Sequence, residues 1–455
     1  MSSAELPTPP TTRGLPLLGE TLAFLRAPDQ FPVDRRREHG PIFAAKLFGK
    51  PTVFMRGAAA NHWIYAGEGK YLENQWLPAT RRLLGEQSLA LIGGDDHKHR
   101  RRLLAPYFKR TSMAGCVPGI LAVAERHLQR WATDATLGPI TIVPRMRALA
   151  FETAATYVLG RVDDLGVGLD ELSHEFTTWT AGMFAPVPVA VPGSKFARAL
   201  DARRRMFGWL EDLVSRRQAG FQAGKERGPE VLSALLEVRD EGGQPLPRAT
   251  IVDELQLLLF AGHDTTVTGT SNLIYHLAQH PEVRARAQAE QDRLVGESGA
   301  AITLERLREM TWLDAVIKES LRVIPPIGGA FRVMREDAEF GGFRIPKGWR
   351  IAVSPRSVHW EDEYYAEPEQ FDPSRWLGED PRPPFAYIPF GGGPRVCLGQ
   401  HFALLQMQVV LALLLRAWDW RLSPGQDLRF TALPMPLPRS GLVLDMQPRG
   451  SQPRD

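Results

Sequence analysis

Between Asp95 and Gly299 the apolar residues recur mainly at helical spacing, and one stretch, ATIVDELQLLLFAGHDTTVTGTSNLIYHLAQH (249–280), runs on without a proline. As an α-helix it would span roughly 48 Å, with Pro247 and Pro281 framing its ends. Its LQLLLFAG segment is apolar almost all round, which predicts a helix that crosses the interior as a spine. Short β-prone stretches at 42–47 and 52–55 flank a turn at 48–51, and strand signals return between Gly341 and Ser354. The tail 433–446 reads as a closing hairpin, and the Pro-rich opening (1–20, continuing through Pro41) as an extended lead-in. One break, APVPVAVPG (185–193), holds three prolines and is otherwise apolar. It reads either as a loop packed against the body or as a mobile lid over an apolar site. Helices in the middle with small sheets near both ends predict an α+β class, mostly α.

The 455 residues show no compositional step that would mark a linker, so one domain over 1–455 is expected. A net charge of +3 gives no general argument for nucleic acid as a partner. Two cysteines, Cys116 and Cys397, are too few for a disulfide framework and fit a reducing compartment. The opening lacks a charged-then-apolar signal pattern, and no apolar run approaches the ~20 residues of a membrane span. A cytoplasmic monomer without a membrane span is the expectation.

Chemistry concentrates in three places. In FGGGPRVCLG (390–399) three glycines allow a tight loop and close backbone approach to a flat ligand. Cys397 then opens the helical run HFALLQMQVVLALLL; a helix start and Arg395 both favour a thiolate. The alternative is a buried cysteine beside a glycine turn. Glu319 and Arg322, three apart on a helix, share a face and can pair, which by itself is a commonplace solvated pair. In mid-spine, AGHDTT (261–266) sets a glycine, a carboxylate and hydroxyls into an apolar helix, which is costly unless neighbouring helices or a function compensate.

Taken whole, FGGGPRVCLG resembles the haem-binding loop of the cytochromes P-450, with Phe390, Gly393, Arg395, Cys397 and Gly399 at the required positions. The resemblance implies the cytochrome P-450 fold and haem b, with Cys397 as thiolate ligand, Phe390 shielding it and Arg395 on a propionate. It also implies that Glu319 and Arg322 lock with Arg375 of FDPSRW as a proximal scaffold. His97 and Arg101 of GDDHKHRRRLL, and Arg332 of PPIGGAFRVMRED, correspond to further propionate partners. Lys98, Arg100, Arg102, Lys109 and Arg110 are then a solvated surplus or part of a redox-partner surface. Asp264 and Thr265 match the family's acid–alcohol pair for proton delivery, with Ala261 and Gly262 at the oxygen site, where Gly262 is expected to widen the helix.

Such an enzyme inserts one oxygen atom from O2 into a hydrophobic substrate, with electrons from a ferredoxin- or flavodoxin-type donor and its NAD(P)H reductase. NQWLPATRRLLG (74–85), PPIGGAFRV and FRIPKGW are similar to the retinoic-acid-hydroxylating branch and its soluble bacterial relatives. A retinoid, terpenoid, steroid or fatty-acid-like substrate is expected. The pocket walls would come from Trp76, Leu77, Phe184 and the 183–192 loop, Phe260, Ile327, Gly328 and Met435.

Overall fold

A computed structural model describes residues 6–450, apart from 29, 161, 186–187, 224–227, 229, 240–241, 296–300 and 433. The chain gathers into two compact units, one of residues 1–75, 314–397 and 428–439, the other of 76–313, 398–427 and 440–455.

The first unit is organised by a five-stranded sheet in the order Ile42–Leu47, Lys50–Met55, Arg350–Val353, Ala330–Met334, Leu72–Gln75. Its first hairpin turns on Phe48 and Gly49, both at positive φ, and Leu47 pairs with Lys50. The turn is therefore two residues shorter than expected, and Pro51 lies inside a strand. Proline is tolerated there because the parallel ladder to Arg350 begins only at Thr52, so its missing N–H interrupts nothing. A small hairpin, Ala338–Phe340 with Phe343–Ile345, closes on Gly341 and Gly342.

The lead-in is not wholly extended. Thr21–Arg26 and Gln30–His39 are helices. Pro32 falls in the first turn of the second, where the amide it lacks has no intrahelical partner anyway.

The second unit is helical. Its spine, Arg248–Gln279, is shifted by a single residue from the expected span. It packs along Ile142–Leu159 and also meets Lys195–Gln222 and Gln400–Ala417. The surrounding core runs from Leu83 and Phe151 through Phe176, Trp179 and Leu210 to Leu255 and Leu259. Gln400–Ala417 is long and apolar enough to cross a membrane, but 56% of it is buried inside the protein, as a core helix would be.

The closing hairpin is corrected too. Val443–Pro448 pairs with Trp418–Leu422, not within the tail, and Ile140–Thr141 adds a third strand. Inside 428–439 only a Phe430–Pro438 bridge forms, and Leu433 lies outside the described residues. The tail's partner strand precedes a long connection, so local pattern could not reveal it.

Candidate functional site

The glycine loop ends on an exposed cysteine. The Cys397 N–H donates to the Phe390 carbonyl (2.9 Å), closing the loop on itself. Gly391 and Gly393 adopt φ of 71° and 63°, and a Cβ at 393 would stand 2.6 Å from the Tyr65 carbonyl oxygen. Glycine at 393 is required on both counts. Gly399, by contrast, has ordinary φ and open space around it. The following helix starts at Gln400, so Cys397 precedes it by three residues and is not its first residue. The loop itself presents the thiol.

Arg332 and Arg395 are drawn together by a residue no motif suggested. Glu68 accepts from Arg332 Nε at 2.6 Å and from Arg395 Nε at 2.8 Å. Asn74 Oδ1 holds Arg332 Nη1 at 2.9 Å, across the pairing of their two strands. Arg332 and Glu68 are both buried, so these charge-assisted bonds set the orientation of two guanidinium groups.

Glu319 lies at the centre of a larger buried cluster. Arg322 grips it bidentately (Nε to Oε2 and Nη2 to Oε1, both 2.8 Å), and Arg375 Nε donates to Oε1 at 3.0 Å. The Trp376 indole (2.8 Å) and the Asp372 N–H (2.9 Å) complete its shell. Arg322 also donates to the carbonyls of His359, Pro368 and Gln370. Glu319 and Arg322 are fully buried, so the solvated-pair alternative does not apply. His359 locks the same region: its Nε2 accepts from the Ile388 N–H (2.8 Å), and its Nδ1 lies 3.2 Å from the Arg322 carbonyl. Burial pushes its pKa down to about 3.

In the second unit the spine is buried almost throughout, yet it opens at its middle. Ala261 is exposed, and Gly262, Asp264 and Thr265 are half-buried. The Thr265 hydroxyl donates to the Ala261 carbonyl (2.7 Å). Its proton is thereby directed back into the helix, and its lone pairs serve as acceptors toward the open side. The helix runs unbroken across Gly262, so the expected widening is not found. Asp264 stands 3.2 Å from His263 Nδ1 and 3.9 Å from Arg147 Nη1. Burial works to raise its pKa, but His263 and Arg147 outweigh it, and the carboxyl lies below its usual range.

His97 is buried, and it and Arg101 lie one turn apart on Gly94–Leu104. Arg100 is not a surplus surface charge: its guanidinium turns inward to Glu254 (3.0 Å). Burial lifts the Glu254 carboxyl to about 7, against the opposing pull of Arg100 and the Leu89 N–H.

Of the expected wall residues, Leu77, Phe184, Ile327 and Gly328 are exposed, whereas Phe260 packs edge-on to Trp179. The Trp76 indole donates to the Ala90 carbonyl (2.9 Å), and the Met435 carbonyl accepts from Thr431 (2.6 Å). In the 183–192 loop Met183 is buried and the Pro188 carbonyl is held by Arg82 (2.7 Å), as in a loop packed against the body, while Phe184, Val189 and Val191 are exposed. Pro186 and Val187 lie outside the described residues.

The glycine loop that presents Cys397, in a mostly helical chain with a long buried spine, is what a resemblance to the haem-thiolate class implies. The family model for cytochrome P450 matches residues 9–446, and the chain belongs to that family. It is 36% identical over 440 residues to the cytochrome P450 120 of Synechocystis sp., covering 96% of each chain. It is 31% identical to the taxane 10-beta-hydroxylase of Taxus cuspidata, over 98% of this chain and 91% of that one. The solved structure of retinoic acid-bound cyanobacterial CYP120A1 superposes with a TM-score of 0.87 at 35% identity, over 98% of this chain and all of that one. The fold is thus the cytochrome P450 fold, the enzyme a monooxygenase, and its cofactor a haem with a cysteine thiolate ligand. The residues present fit that group: an accessible thiol, a loop that forms only with glycine at 393, and two oriented guanidinium groups for carboxylates.

Proposed function

We propose that Cys397 is the thiolate ligand and that the chain hydroxylates a long, rigid, hydrophobic molecule of the retinoid or terpenoid kind. The exposed Cys397 thiol, two residues from an arginine tethered by Glu68, carries the reading. When bound, the haem supplies the activation of dioxygen by two electrons. Arg332 and Arg395 neutralise propionates, together with His97 and Arg101. Phe390 and Gly399 border the ligand, and Ala261 and Gly262 leave room on the spine. Asp264 carries protons inward, and Thr265 accepts a hydrogen bond that steadies their delivery. Glu319, Arg322 and Arg375 hold the loop's surroundings rigid. Leu77 and Phe184, exposed and apolar, offer surface to such a substrate. A ferredoxin or flavodoxin with an NAD(P)H reductase supplies the electrons, and residues 1–455 act as one catalytic domain in a monomeric, cytoplasmic, bacterial enzyme. The taxane hydroxylase and the retinoic acid-bound structure among the relatives support the substrate class.

Two spectra test this. The reduced carbon monoxide complex should show the red-shifted Soret band of thiolate haem, lost in Cys397→His and kept in Cys116→Ser. Retinoic acid added to the oxidised enzyme should shift the Soret band at micromolar concentration. A requirement for Cys116 would overturn the ligand, and binding confined to small polar molecules would overturn the substrate class.

A further inference from the structure

His263 lies beside the acid of the spine, buried to 5% exposure between the rings of Phe151 and Phe176, whose planes stand at 83° and 79° to its own. Its two nitrogens have different neighbours. Nε2 is 3.2 Å from the carbonyl oxygen of Arg147, which can only accept, so Nε2 carries a hydrogen and donates. Nδ1 is 3.2 Å from Oδ1 of Asp264. In a neutral imidazole with its hydrogen on Nε2, Nδ1 bears a lone pair. A lone pair and a carboxylate oxygen at that separation repel each other in a buried setting. The contact becomes attractive when one more proton is present, as imidazolium beside carboxylate or as carboxylic acid beside neutral imidazole.

We propose that His263 and Asp264 together store one proton, and that His263 acts as the positioning residue that keeps Asp264 charged for delivery. This rests on the reading of Asp264 as the proton relay.

The surroundings favour storage at this pair rather than elsewhere. From the 142–159 helix, Arg147 reaches Asp264 at 3.9 Å, while Glu152 is engaged by His127 (2.8 Å) and Arg126. From the 169–181 helix, Glu175 is paired with Arg205 (2.7 Å), and His174 is exposed. Among the described residues His263 pairs with the Asp264 carboxylate, and Arg147, half-exposed, marks the side open to water. In one delivery the Nδ1 proton passes to the Asp264 carboxylate and from there inward, leaving a neutral imidazole beside a carboxylate. A proton from bulk water then restores the pair, so each cycle moves one proton from solvent to the site and leaves His263 and Asp264 as they began. Between release and recharging the two groups repel, which favours rapid uptake.

The test uses holoenzyme labelled with 15N-histidine, with His263→Gln to identify the signal and an unchanged carbon monoxide band to show that the variant is folded. Glutamine keeps an N–H for the Arg147 carbonyl but cannot titrate. At neutral pH, His263 should show protons on both nitrogens, and the infrared spectrum should show no protonated carboxyl that Asp264→Asn removes. In NADPH-driven turnover of retinoic acid with a ferredoxin and its reductase, wild type should lose rate at alkaline pH as the stored proton is lost. His263→Gln should be about tenfold slower at its plateau and lack that alkaline limb. An unprotonated Nδ1, or an unaltered pH profile in His263→Gln, overturns the inference even where Asp264→Asn slows turnover. An Asp264→Asn enzyme with wild-type turnover overturns the relay reading and this inference with it.

Discussion

At the scale of single residues, function here depends on which atoms remain available after local bonds are made. Thr265 illustrates this, because its hydroxyl proton is committed to the Ala261 carbonyl at 2.7 Å and what it offers outward is an acceptor. Thr265→Ala should therefore retain haem, carbon monoxide binding and substrate affinity while diverting electrons into hydrogen peroxide. Asp264→Asn should slow turnover with less peroxide, since it removes the carrier and leaves the acceptor. Product and peroxide per electron consumed distinguish the two, and full coupling in Thr265→Ala would remove Thr265 from the mechanism. The residue scale is also where sequence reading was most uneven. The cysteine, its arginine and the acid–alcohol pair stand within compact motifs. Glu68 does not: it meets Arg332 and Arg395 across 264 and 327 positions, and nothing near it in the chain signals a role.

Elements bring such residues together, and the Glu319 cluster shows how much one side chain can bind. A helix (Thr311–Val323) and the segment from Pro368 through Gln370 and Asp372 into the short 3-10 helix Pro373–Trp376 are tied by Glu319 and Arg322 with hardly a water-accessible atom. Glu319→Ala would leave Arg322 and Arg375 without their acid, at a cost of roughly 3–5 kcal/mol. Poor haem incorporation or insoluble protein is the expected outcome, measured by haem-to-protein ratio and denaturant midpoint. Normal holoenzyme would show the cluster to be dispensable. Sequence alone marked the two-residue pair as commonplace, because only burial changes a surface ion pair into a fixed junction.

For the whole molecule, the same junction sets a limit on acid stability. His359 is neutral in the fold, with a pKa held down to about 3 from an ordinary 6.5, mainly by burial. A folded-state pKa below the unfolded one means the stabilisation is complete above pH 6.5 and is lost progressively as pH falls toward 3. Between pH 7 and pH 5 the loss should be about 2 kcal/mol, read as a lower denaturant midpoint. His359→Gln should be less stable at pH 7 but show a flatter dependence over that window. An equal pH dependence in both proteins would assign the acid sensitivity to other groups.

Composition and periodicity alone determined the mostly helical class and the spine to within a residue. The cysteine loop and the mid-spine polar patch were legible as short runs of residues, because glycine's freedom and thiolate chemistry are local properties, while Glu319 and Arg322 stood out only through the family resemblance. The Gly341-Gly342 hairpin was legible for the same reason, and the 42–55 one in place though not in turn length, whereas the tail's pairing with Trp418–Leu422 was not, since strand partners are chosen by packing. Tertiary structure decided which polar groups are buried and with whom: Glu68 between two arginines, Arg100 turned inward to Glu254, His359 closed around Arg322, and His263 committed to the Arg147 carbonyl. Each of these depends on distant segments meeting in a medium without water, where an unpaired charge is costly and a shared proton can persist.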